Sequence, residues 1–461
     1  MAPAVWWIRR DLRLKNNSAL RHALASGRPV IPLFILDQRL LNVAGPNRLN
    51  FLYAGLQALD QELRLRGSRL VVRRGKVRHI LRQILAETNA EAIYAEEDFT
   101  PYARERDDAV GAAFPLKLIH GQTYHPPGAV LNQKGEPYTI FSPYSKAWKA
   151  LPLVDLEAWL PPERFPPMDL PPGDVIPDAQ VSVDFPASEA EAQSRLAAFL
   201  NGPVFDYAEH RDRLDLDGTS SLSPYFHFGM ITTRQAAHAV LQISAPTAEA
   251  CQGCIAWLNE LIWREFYIQI LFRYPEVLKI AFNPRLRNIC WRDSLDELRA
   301  WQSGQTGYPI VDAGMRQLSG SGWMHNRSRM IAASFLCKDL LINWQEGEDW
   351  FMRQLIDADL AANNGGWQWV AGVGTDAAPY FRIFNPLLQG KRFDPEGCYI
   401  RRWVPELANV PDAYIHEPWR MPLEVQRMSG CQIGEDYPFP IVDHHLARER
   451  TIMAYRNAAE K

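Results

Sequence analysis

The sequence has little cysteine, no long apolar run and almost no net charge. Six cysteines among 461 residues fit a reducing compartment better than a secreted, disulfide-bonded class of protein. No apolar run reaches the roughly 18 residues of a membrane helix, and residues 4–10 are too short an apolar core for a signal peptide. We therefore expect a soluble, cytoplasmic protein that is not associated with a membrane. A net charge of −3 means that binding to nucleic acid requires a local basic face.

One cysteine pair has the spacing of a metal or redox motif. Cys251 and Cys254 form a CxxC, but no second pair follows and the motif opens an apolar helical run. Zinc sites of this kind use two such pairs. We predict no metal site.

The first 130 residues alternate between strand-like and helix-like segments. Short apolar runs of the kind found in buried parallel strands occur at 5–8, 30–36, 70–72, 92–94 and 116–119. Helical periodicity falls between them, at 18–25, 48–66, 77–87 and 102–113. This rhythm predicts an α/β domain with a doubly wound parallel sheet and helices on both faces. No GxGxxG follows the first strand, so the usual dinucleotide fingerprint is absent.

The remainder of the chain divides into a connection and a helical half. Prolines are frequent from 161 to 186, which indicates a long surface connection. Helical patterns then appear at 189–200, 232–243, 250–273, 293–303, 309–319, 325–344 and 346–357. We predict an N-terminal domain at 1–130, a linker at 131–200 and an all-α domain at 201–461. No exposed heptad pattern is present, and we expect a monomer.

The stretch Asp357–Pro386 has the densest mixture of chemically useful residues. Two carboxylates, Asp357 and Asp359, are followed by paired asparagines, paired glycines, Trp367 and Trp369. The glycines would let the backbone approach a flat ligand closely. The alternative interpretation is a glycine-interrupted core helix with buried aromatic side chains.

Four other segments combine features of ligand binding. Residues 217–224 form a hydroxyl-rich turn before an apolar helix, which suits either a phosphate or an ordinary helix start with proline. Residues 257–267 place aromatic, acidic and basic side chains on one helical face, as the pocket for a flipped base requires. Residues 323–330 and 391–403 interleave basic and aromatic side chains, which suits nucleic acid. Each of these segments is also compatible with a solvated surface or an ordinary core helix.

Taken together, these segments resemble the cryptochrome and photolyase flavoprotein family, and most closely the bacterial cyclobutane pyrimidine dimer photolyases. The resemblance extends from Trp7–Arg13 to Trp419, and its most specific motifs are Gln305–Leu318 and Trp323–Ile331. It implies a folded FAD, active in its reduced form, in the helical domain. The positions that match FAD-contacting residues are Tyr207, Thr219, Ser220, Ser221, Leu222, Ser223, Trp257, Arg329, Asp357, Ala358, Asp359 and Asn363.

The resemblance also implies roles for particular side chains. Asn363 matches the asparagine that faces flavin N5, and Arg329 is expected to pair with Asp357. Trp291, Trp344 and Trp367 match the electron-transfer tryptophans. The catalytic positions are Glu260, Asn326 and Asn363. The positions expected to contact DNA carrying UV-induced pyrimidine dimers are Arg211, Glu260, Trp263, Arg264, Asn326, Arg327, Met330, Trp369 and Gln389.

The N-terminal domain of this family carries a second, light-harvesting chromophore. Folate-binding relatives have an Asn-Glu pair where this chain reads Phe99–Arg104, whereas Arg48 and Asp98 match residues of deazaflavin-binding relatives. The resemblance therefore favours an 8-hydroxy-5-deazaflavin type of antenna, with methenyltetrahydrofolate, FMN or an empty site as alternatives.

The resemblance leaves three activities to compare. The first is light-driven repair of cyclobutane dimers, and the second is a signalling cryptochrome without repair. Cryptochromes commonly alter the residues matching Glu260, Asn326 or Asn363 and often add a C-terminal tail, and this chain keeps all three and ends at Lys461. A six-four photolyase would have a histidine pair in place of His325-Asn326, which ranks that activity last.

Overall fold

The computed structural model describes residues 1–152, 158–180 and 184–460, and these residues form two compact units. The first unit contains Met1–Ala208, Ser220–Pro275 and Ile356–Ala361. The second contains Glu209–Thr219, Glu276–Leu355 and Ala362–Lys461. The first unit is therefore completed by a short segment that lies far downstream in the chain.

A five-stranded parallel sheet organises the first unit, with the order β3-β2-β1-β4-β5. Its strands are β1 (Ala4–Ile8), β2 (Val30–Leu36), β3 (Val71–Arg74), β4 (Ala92–Glu96) and β5 (Leu116–Ile119). Trp6 is paired in register with Pro32 on one side and Tyr94 on the other. Every residue of β1 and β2 is buried, so both faces of the sheet are covered. This arrangement confirms the predicted α/β class.

Helices surround this sheet and extend the first unit. They are α1 (Ser18–Ala25), α2 (Gln38–Val43), α3 (Pro46–Leu65), α4 (Val77–Thr88), α5 (Pro101–Gly111), α6 (Phe141–Ala150), α7 (Glu189–Leu200), α8 (Tyr207–His210), α9 (Ser223–Phe228), α10 (Thr233–Leu241) and α11 (Ala248–Arg273). Val77, Ile80, Leu81 and Ile84 of α4 pack with Val110 of α5 on the strand side chains. Alternate strand residues, including Val5 and Trp7, complete this core.

The predicted linker contains more structure than its prolines indicate. Helix α6 lies within it, and residues 153–157 and 181–183 of this connection lie outside the described residues. Further along, Asp174 donates its backbone N–H to the carbonyl of Val72 at 2.7 Å. Arg73 of the same strand donates to the carbonyl of Pro172 at 2.8 Å. The connection thus runs along β3, the edge strand of the sheet.

The second unit is helical, as predicted. Its helices are α12 (Leu295–Ser303), α13 (Pro309–Ser321), α14 (Asn326–Ser334), α15 (Trp344–Gln354), α16 (Leu360–Ala371), α17 (Pro386–Phe393), α18 (Cys398–Trp403), α19 (Leu423–Ser429) and α20 (His444–Ala459). The first two residues of α16 belong to the first unit.

The continuous helix predicted over 325–344 is wrong. Helix α14 ends at Ser334, a π-helical turn follows at Phe335–Asp339, and α15 begins only at Trp344. Contacts from the distant α20 hold the π turn: Thr451 donates to the carbonyl of Lys338, and Arg450 donates to that of Asp339, both at 2.5 Å. Asn343 then caps α15 by accepting from the backbone N–H of Gln345 at 3.2 Å.

The paired glycines after Asp359 lie inside a helix. Residues 360–371 form the uninterrupted α16, and Trp367 within it is buried. This part of the stretch is therefore helical, with Trp367 buried and Trp369 half-buried. Among the residues that the structure describes, no helix has the length and apolar character needed to cross a bilayer.

Candidate functional site

A chain of alternating charges lies at the centre of the first unit. Asp359 Oδ2 accepts a hydrogen bond at 2.7 Å from Arg10 and another at 2.7 Å from Arg264. Arg10 also lies 4.0 Å from the carboxylate of Asp98, and its Nε donates to the carbonyl of His227 at 2.9 Å. We call Arg10, Asp98, His227, Arg264 and Asp359 the Arg10 cluster.

Sheet topology explains why Arg10 and Asp98 meet. Arg10 follows β1 and Asp98 follows β4, and these neighbouring strands lie where the strand order reverses. The carboxyl ends of such strands form the usual ligand-binding crevice of a doubly wound sheet. Asp98 is held there because it accepts from the backbone N–H and the hydroxyl of Thr100, at 3.1 and 3.2 Å.

The remaining acid of the cluster is fixed by the start of α16. Asp359 Oδ1 accepts from the backbone N–H of Ala361 at 3.1 Å, as an N-capping side chain does. Its other oxygen is thereby directed to the two guanidinium groups. Asp357, Ala358 and Asp359 are all buried, so this downstream segment is part of the interior of the first unit.

Electrostatics hold both carboxylates of the cluster ionised. Burial alone would raise the pKa of Asp359, but Arg264 and Arg10 keep that pKa far below its ordinary value. Burial likewise opposes ionisation of Asp98, yet Arg10, Arg106 and Arg9 lower its pKa. Loss of water and the nearby charge of Arg10 lower the pKa of His227 well below its ordinary value. The imidazole is neutral, so the two arginines of the Arg10 cluster balance its two carboxylates.

A polar cleft opens beside the Arg10 cluster. Its volume is about 530 Å³ when the space open to solvent is included, and Arg10, Asp98, Arg264 and Asp359 line it. Hydroxyl and amide groups complete the lining, from Thr100, Gln122, Thr123, Thr232 and Thr233. The size is within the range of small-molecule sites, and the donors suit an anionic or hydroxyl-bearing ligand.

The two antenna positions both lie near Arg10. Asp98 lines the cleft, whereas Arg48 is buried and donates to the carbonyl of Val43 at 3.0 Å. Burial lowers the pKa of Arg48 to about 10, with a further contribution from Arg10. The sequence missed Arg10 itself, although its position after the first buried strand is the feature that could have identified it.

Helix α11 carries a half-buried face of mixed character. Glu260, Trp263, Arg264 and Tyr267 are all half-buried on it. Trp263 stacks on Phe141 with ring centroids 3.7 Å apart and planes inclined by 5°. This contact fixes the plane of the indole, and the sequence did not identify Phe141. Arg264 was predicted to contact DNA, and the structure places it in the ion pair with Asp359.

The predicted flavin-contacting residues of the first unit fall into two groups. Trp257 is buried and packs on Phe199 at 5.0 Å, and Phe199 meets Tyr207 at 5.7 Å. Ser220–Leu222 precede α9, which begins at Ser223; Leu222 occupies the N-cap without a capping side chain, and Pro224 lies in the first turn. Ser221 has a φ of 49°, so this hydroxyl-rich segment is a tight turn.

The second unit contains the other predicted DNA contacts. Asn326 Nδ2 donates to Met330 Sδ at 3.7 Å, one helical turn away. Arg327 pairs with Asp212 at 2.6 Å and lies over the ring of Phe393 at 4.4 Å. Arg329 donates to the carbonyl of Met324 at 2.8 Å. The structure thus places Asn326 and Met330 in contact, and their role in a lesion pocket stays a prediction.

Four further predicted positions lie in this unit. Gln389 and Trp369 are half-buried, and Arg211 lies 3.9 Å from the carboxylate of Asp212. Thr219 belongs to this unit and the serines that follow it to the first. The roles assigned to these residues stay predictions.

Glu348 anchors both asparagines of the Asn-Asn pair. Asn363 Nδ2 donates to the Glu348 carbonyl at 3.1 Å, and Asn364 Nδ2 donates to Glu348 Oε1 at 3.0 Å. The amide nitrogen of Asn363 is therefore engaged, which leaves its oxygen as the group that can accept from a ligand N–H. Burial raises the pKa of Glu348 to about 7, and no motif in the sequence pointed to this residue.

Replacing Glu348 with glutamine should change how stability depends on pH. Because the folded pKa is about 7 and the ordinary value is 4.5, the unfolded chain loses this proton first, and stability falls as pH rises from 4.5 to 7. Glu348→Gln keeps the acceptor for Asn364 and removes this loss. We expect the variant to match the parent protein below pH 4.5 and to exceed it by on the order of 1–3 kcal/mol above pH 7.

Urea unfolding across this pH range measures the effect. Glu346→Gln, on the exposed side of the same helix, is the matched control and should leave the pH profile unchanged. Equal stability of the Glu348→Gln and parent proteins above pH 7 would contradict the raised pKa of Glu348.

The predicted electron-transfer tryptophans have ring contacts of their own. Trp367 meets Trp301 edge-on at 6.1 Å and Phe351 at 4.9 Å. A Cβ at Gly347 would overlap the Trp367 ring, so only glycine allows this approach. Trp291 is half-buried and meets Tyr455 edge-on at 6.1 Å, while Trp344 is buried at the start of α15. The sequence did not identify Trp301, whose contact with Trp367 extends the aromatic cluster.

Comparisons with known proteins agree with this organisation. The family model for DNA photolyase matches residues 4–166, and the model for the FAD binding domain of DNA photolyase matches residues 257–457. Two curated relatives are named deoxyribodipyrimidine photo-lyase. The Agrobacterium fabrum protein is 39% identical over 98% of both chains. The Escherichia coli protein is 40% identical over 98% of both chains.

Solved structures give the same result for the fold. A bacterial class III photolyase from Agrobacterium tumefaciens has a TM-score of 0.94 and 37% identity, over 100% of this chain and 98% of that one. A Synechocystis cryptochrome has a TM-score of 0.88 and 30% identity, over 98% and 99%. An archaeal photolyase from Sulfolobus tokodaii, described with two FAD molecules and a novel light-harvesting cofactor, has a TM-score of 0.81 and 29% identity, over 99% and 100%.

Proposed function

The chain belongs to the DNA photolyase family, and from that membership we propose that it uses light to split cyclobutane pyrimidine dimers in UV-damaged DNA. The observation that carries the proposal is the likeness, over 98% of both chains, to relatives named deoxyribodipyrimidine photo-lyase. A TM-score of 0.94 to a class III photolyase supports it further.

The donor set fits the FAD that the family binds. Ser220, Ser221 and Ser223 supply hydroxyls suited to a diphosphate, and Trp257 supplies a flat surface. Asp357 and Asp359 supply carboxylates that can accept from flavin N–H groups. When bound and reduced, FAD supplies a light-driven one-electron donor, and the protein supplies binding, orientation and electrostatics.

Asn363 has a defined orientation for this role. Its nitrogen is held by the Glu348 carbonyl at 3.1 Å, so its oxygen faces away from that contact. An amide oxygen accepts a hydrogen bond from a flavin N–H without adding negative charge, whereas a carboxylate there would change the redox preference. In this proposal Glu348 acts as a positioning residue for Asn363.

The side chains proposed for the lesion hold it by stacking and by hydrogen bonds. Trp263, fixed by its stack on Phe141, provides a rigid wall for a flipped base. Glu260 lies on the same face of α11 and would accept from the N–H edge of a thymine. Asn326, Met330 and Trp369 of the second unit are proposed as further contacts of the lesion.

For the antenna, we propose a chromophore of the 8-hydroxy-5-deazaflavin type. Support comes from Arg48 and Asp98, the matching positions, which both lie near Arg10. Mass spectrometry of the small molecules released on denaturation identifies the chromophore. Recovery of a folate, of FMN or of a second FAD in equal amount to the first would replace this proposal.

The function is tested by illumination of the purified protein with its flavin reduced. An oligonucleotide carrying a thymine cyclobutane dimer should be restored in blue light and stay unchanged in darkness. If the dimer persists in light while the reduced flavin is intact, the protein is not a repair enzyme. That result would favour a signalling role such as that of cryptochromes, one of which is a structural neighbour.

Glu260→Ala should reduce repair more than it reduces DNA binding. The carboxylate bonds to one base edge, and the loss of a charge-assisted hydrogen bond costs about tenfold or more, whereas the phosphate contacts remain. Repair yield per absorbed photon and affinity for lesion-containing DNA are measured separately. Glu249→Ala, on the exposed first turn of the same helix, is the control. Equal losses of yield and affinity in Glu260→Ala would remove Glu260 from the catalytic positions.

A further inference from the structure

A strongly basic run begins near the end of α3 and continues through β3 into α4. Residues 64–82 contain eight arginine or lysine side chains and no aspartate or glutamate. The whole chain has 50 basic and 53 acidic residues, so positive charge is concentrated here. None of these residues is among the predicted contacts to the lesion or to the flavin.

Half of these cations are engaged within the fold. Arg69 donates to the carbonyls of Leu170 and Pro171 at 3.0 and 2.7 Å. Arg64, Arg66 and Arg73 form ion pairs of 2.6 to 2.7 Å with Asp60, Glu62 and Glu87, respectively.

The other half are directed to solvent. Arg74, Lys76, Arg78 and Arg82 are exposed, and within the described parts of the chain none of them forms an ion pair. We call these four residues the α4 basic surface. Asp174 accepts from the backbone N–H of Arg74 at 2.7 Å, which places one carboxylate beside Arg74, and Glu87 pairs with Arg73. Lys76, Arg78 and Arg82 therefore contribute three exposed positive charges that form no ion pair within the described residues.

Protection of a sheet edge does not explain these charges. Lysine and arginine commonly prevent an exposed edge strand from pairing with another chain. Here the connection already covers β3, because Asp174 donates to the Val72 carbonyl at 2.7 Å. Gly173 lies so close to Val72 that a Cβ would come within 3.1 Å of its backbone nitrogen. Because the connection already covers β3, protection of the sheet edge does not account for the exposed basic side chains.

We infer that the α4 basic surface binds the phosphate backbone of duplex DNA outside the lesion. Arg78 and Arg82 lie one turn apart on the exposed face of α4, about 6 Å along the axis, which suits successive phosphates better than a single small anion. Contacts of this type add affinity without reading sequence. The inference rests on the proposed function for the identity of the polyanion.

The test measures binding of undamaged duplex DNA in the dark at several salt concentrations. The variant is Lys76→Glu, Arg78→Glu and Arg82→Glu combined. Each phosphate contact contributes about 0.9 to the slope of log affinity against log salt. We expect the slope to fall in magnitude by about 2–3 and the affinity at low salt to fall with it.

A matched control separates this surface from net charge. Arg299→Glu, Arg448→Glu and Arg456→Glu combined make the same charge change at exposed positions of the second unit, and this variant should keep the parental slope. If the acidic variant does not fold, glutamine at 76, 78 and 82 removes the same contacts and should lower the slope as well. Equal slopes for the variant and the control would overturn the inference.

Vesicle binding and repair of single-stranded DNA show whether a change in the variant comes from lost DNA contacts or from another cause. If the variant loses binding to phosphatidylserine vesicles while its DNA slope stays parental, the surface serves a membrane and the inference is wrong. Because undamaged DNA is used in the dark, the slope decides the question even if light-driven repair fails. Repair of a short single-stranded lesion at saturating concentration should be the same in the variant and the parent, since the flavin and lesion residues are unchanged.

Discussion

Asp359→Asn is expected to destabilise the protein by about 3–5 kcal/mol, because it removes the buried carboxylate that two half-buried guanidinium groups share. Arg10 and Arg264 both bind Asp359 at 2.7 Å. Asparagine keeps the helix cap, since its oxygen can still accept from Ala361, so the loss is electrostatic. Urea unfolding measures the change, and retention of FAD during gel filtration is the second readout.

The pH dependence of stability gives a second test of the ion pairs made by Asp359. The folded pKa of Asp359 lies far below its ordinary value of 3.8, so its contribution to stability is present above that pH and is lost as pH falls below it. The difference between the parent and Asp359→Asn should therefore shrink in acid. Adding Arg264→Gln to the variant should recover part of the loss, because one unpaired charge is removed.

Asp412→Asn is the matched control for this prediction. Asp412 pairs with Arg401 at the same short distance, 2.6 Å, but its side chain is 75% exposed. Exposed pairs contribute up to about 1 kcal/mol. Comparable losses at the two positions would show that the Arg10 cluster has no special role.

Trp291→Phe should abolish light-driven reduction of bound, oxidised FAD and spare repair by protein whose FAD is already reduced. The position matches the end of the family's electron-transfer tryptophans, and phenylalanine is much harder to oxidise than tryptophan. The ring is half-buried and meets Tyr455 edge-on, a contact that phenylalanine preserves. Bleaching of the oxidised flavin under blue light with an external thiol measures the first property, and dimer cleavage after chemical reduction measures the second.

Trp419→Phe is the control for position and burial. Trp419 is also half-buried, and it meets Tyr308 edge-on at 5.6 Å. It should keep photoreduction. A parental rate in Trp291→Phe would exclude this residue from the electron-transfer route, and a defect in pre-reduced protein would show that the substitution affects repair by another means.

Local patterns were sufficient for most of the fold. The strands were predictable because short apolar runs between helical segments are typical of buried parallel strands, and the structure places β2 at Val30–Leu36 as expected. The face of α11 was predictable from helical spacing. The break between α14 and α15 was partly visible, since Asn343 is a common capping residue. The π turn depends on Thr451 and Arg450, which local sequence does not reveal.

The geometry of the site depends on contacts between distant parts of the chain. Arg10 meets Asp359 across 349 positions, and Arg264 meets it across 95. Phe141 and Trp263 stack although they belong to different helices. Residue types alone indicated that a carboxylate at 359 has a role, but which cations it neutralises follows from the topology. The same limit applies to Glu348, whose importance comes from its contacts with α16.

The downstream position of Ile356–Ala361 has a consequence for synthesis on the ribosome. Arg264 leaves the exit tunnel 95 residues before its counter-ion, a delay of roughly 5–20 seconds at usual elongation rates. During that interval the nascent chain contains the complete sheet and α11. It still lacks Asp359, the acid that pairs with Arg10 and Arg264. We therefore expect a fragment truncated ahead of residue 356 to be less stable than the complete first unit, because it lacks Asp359.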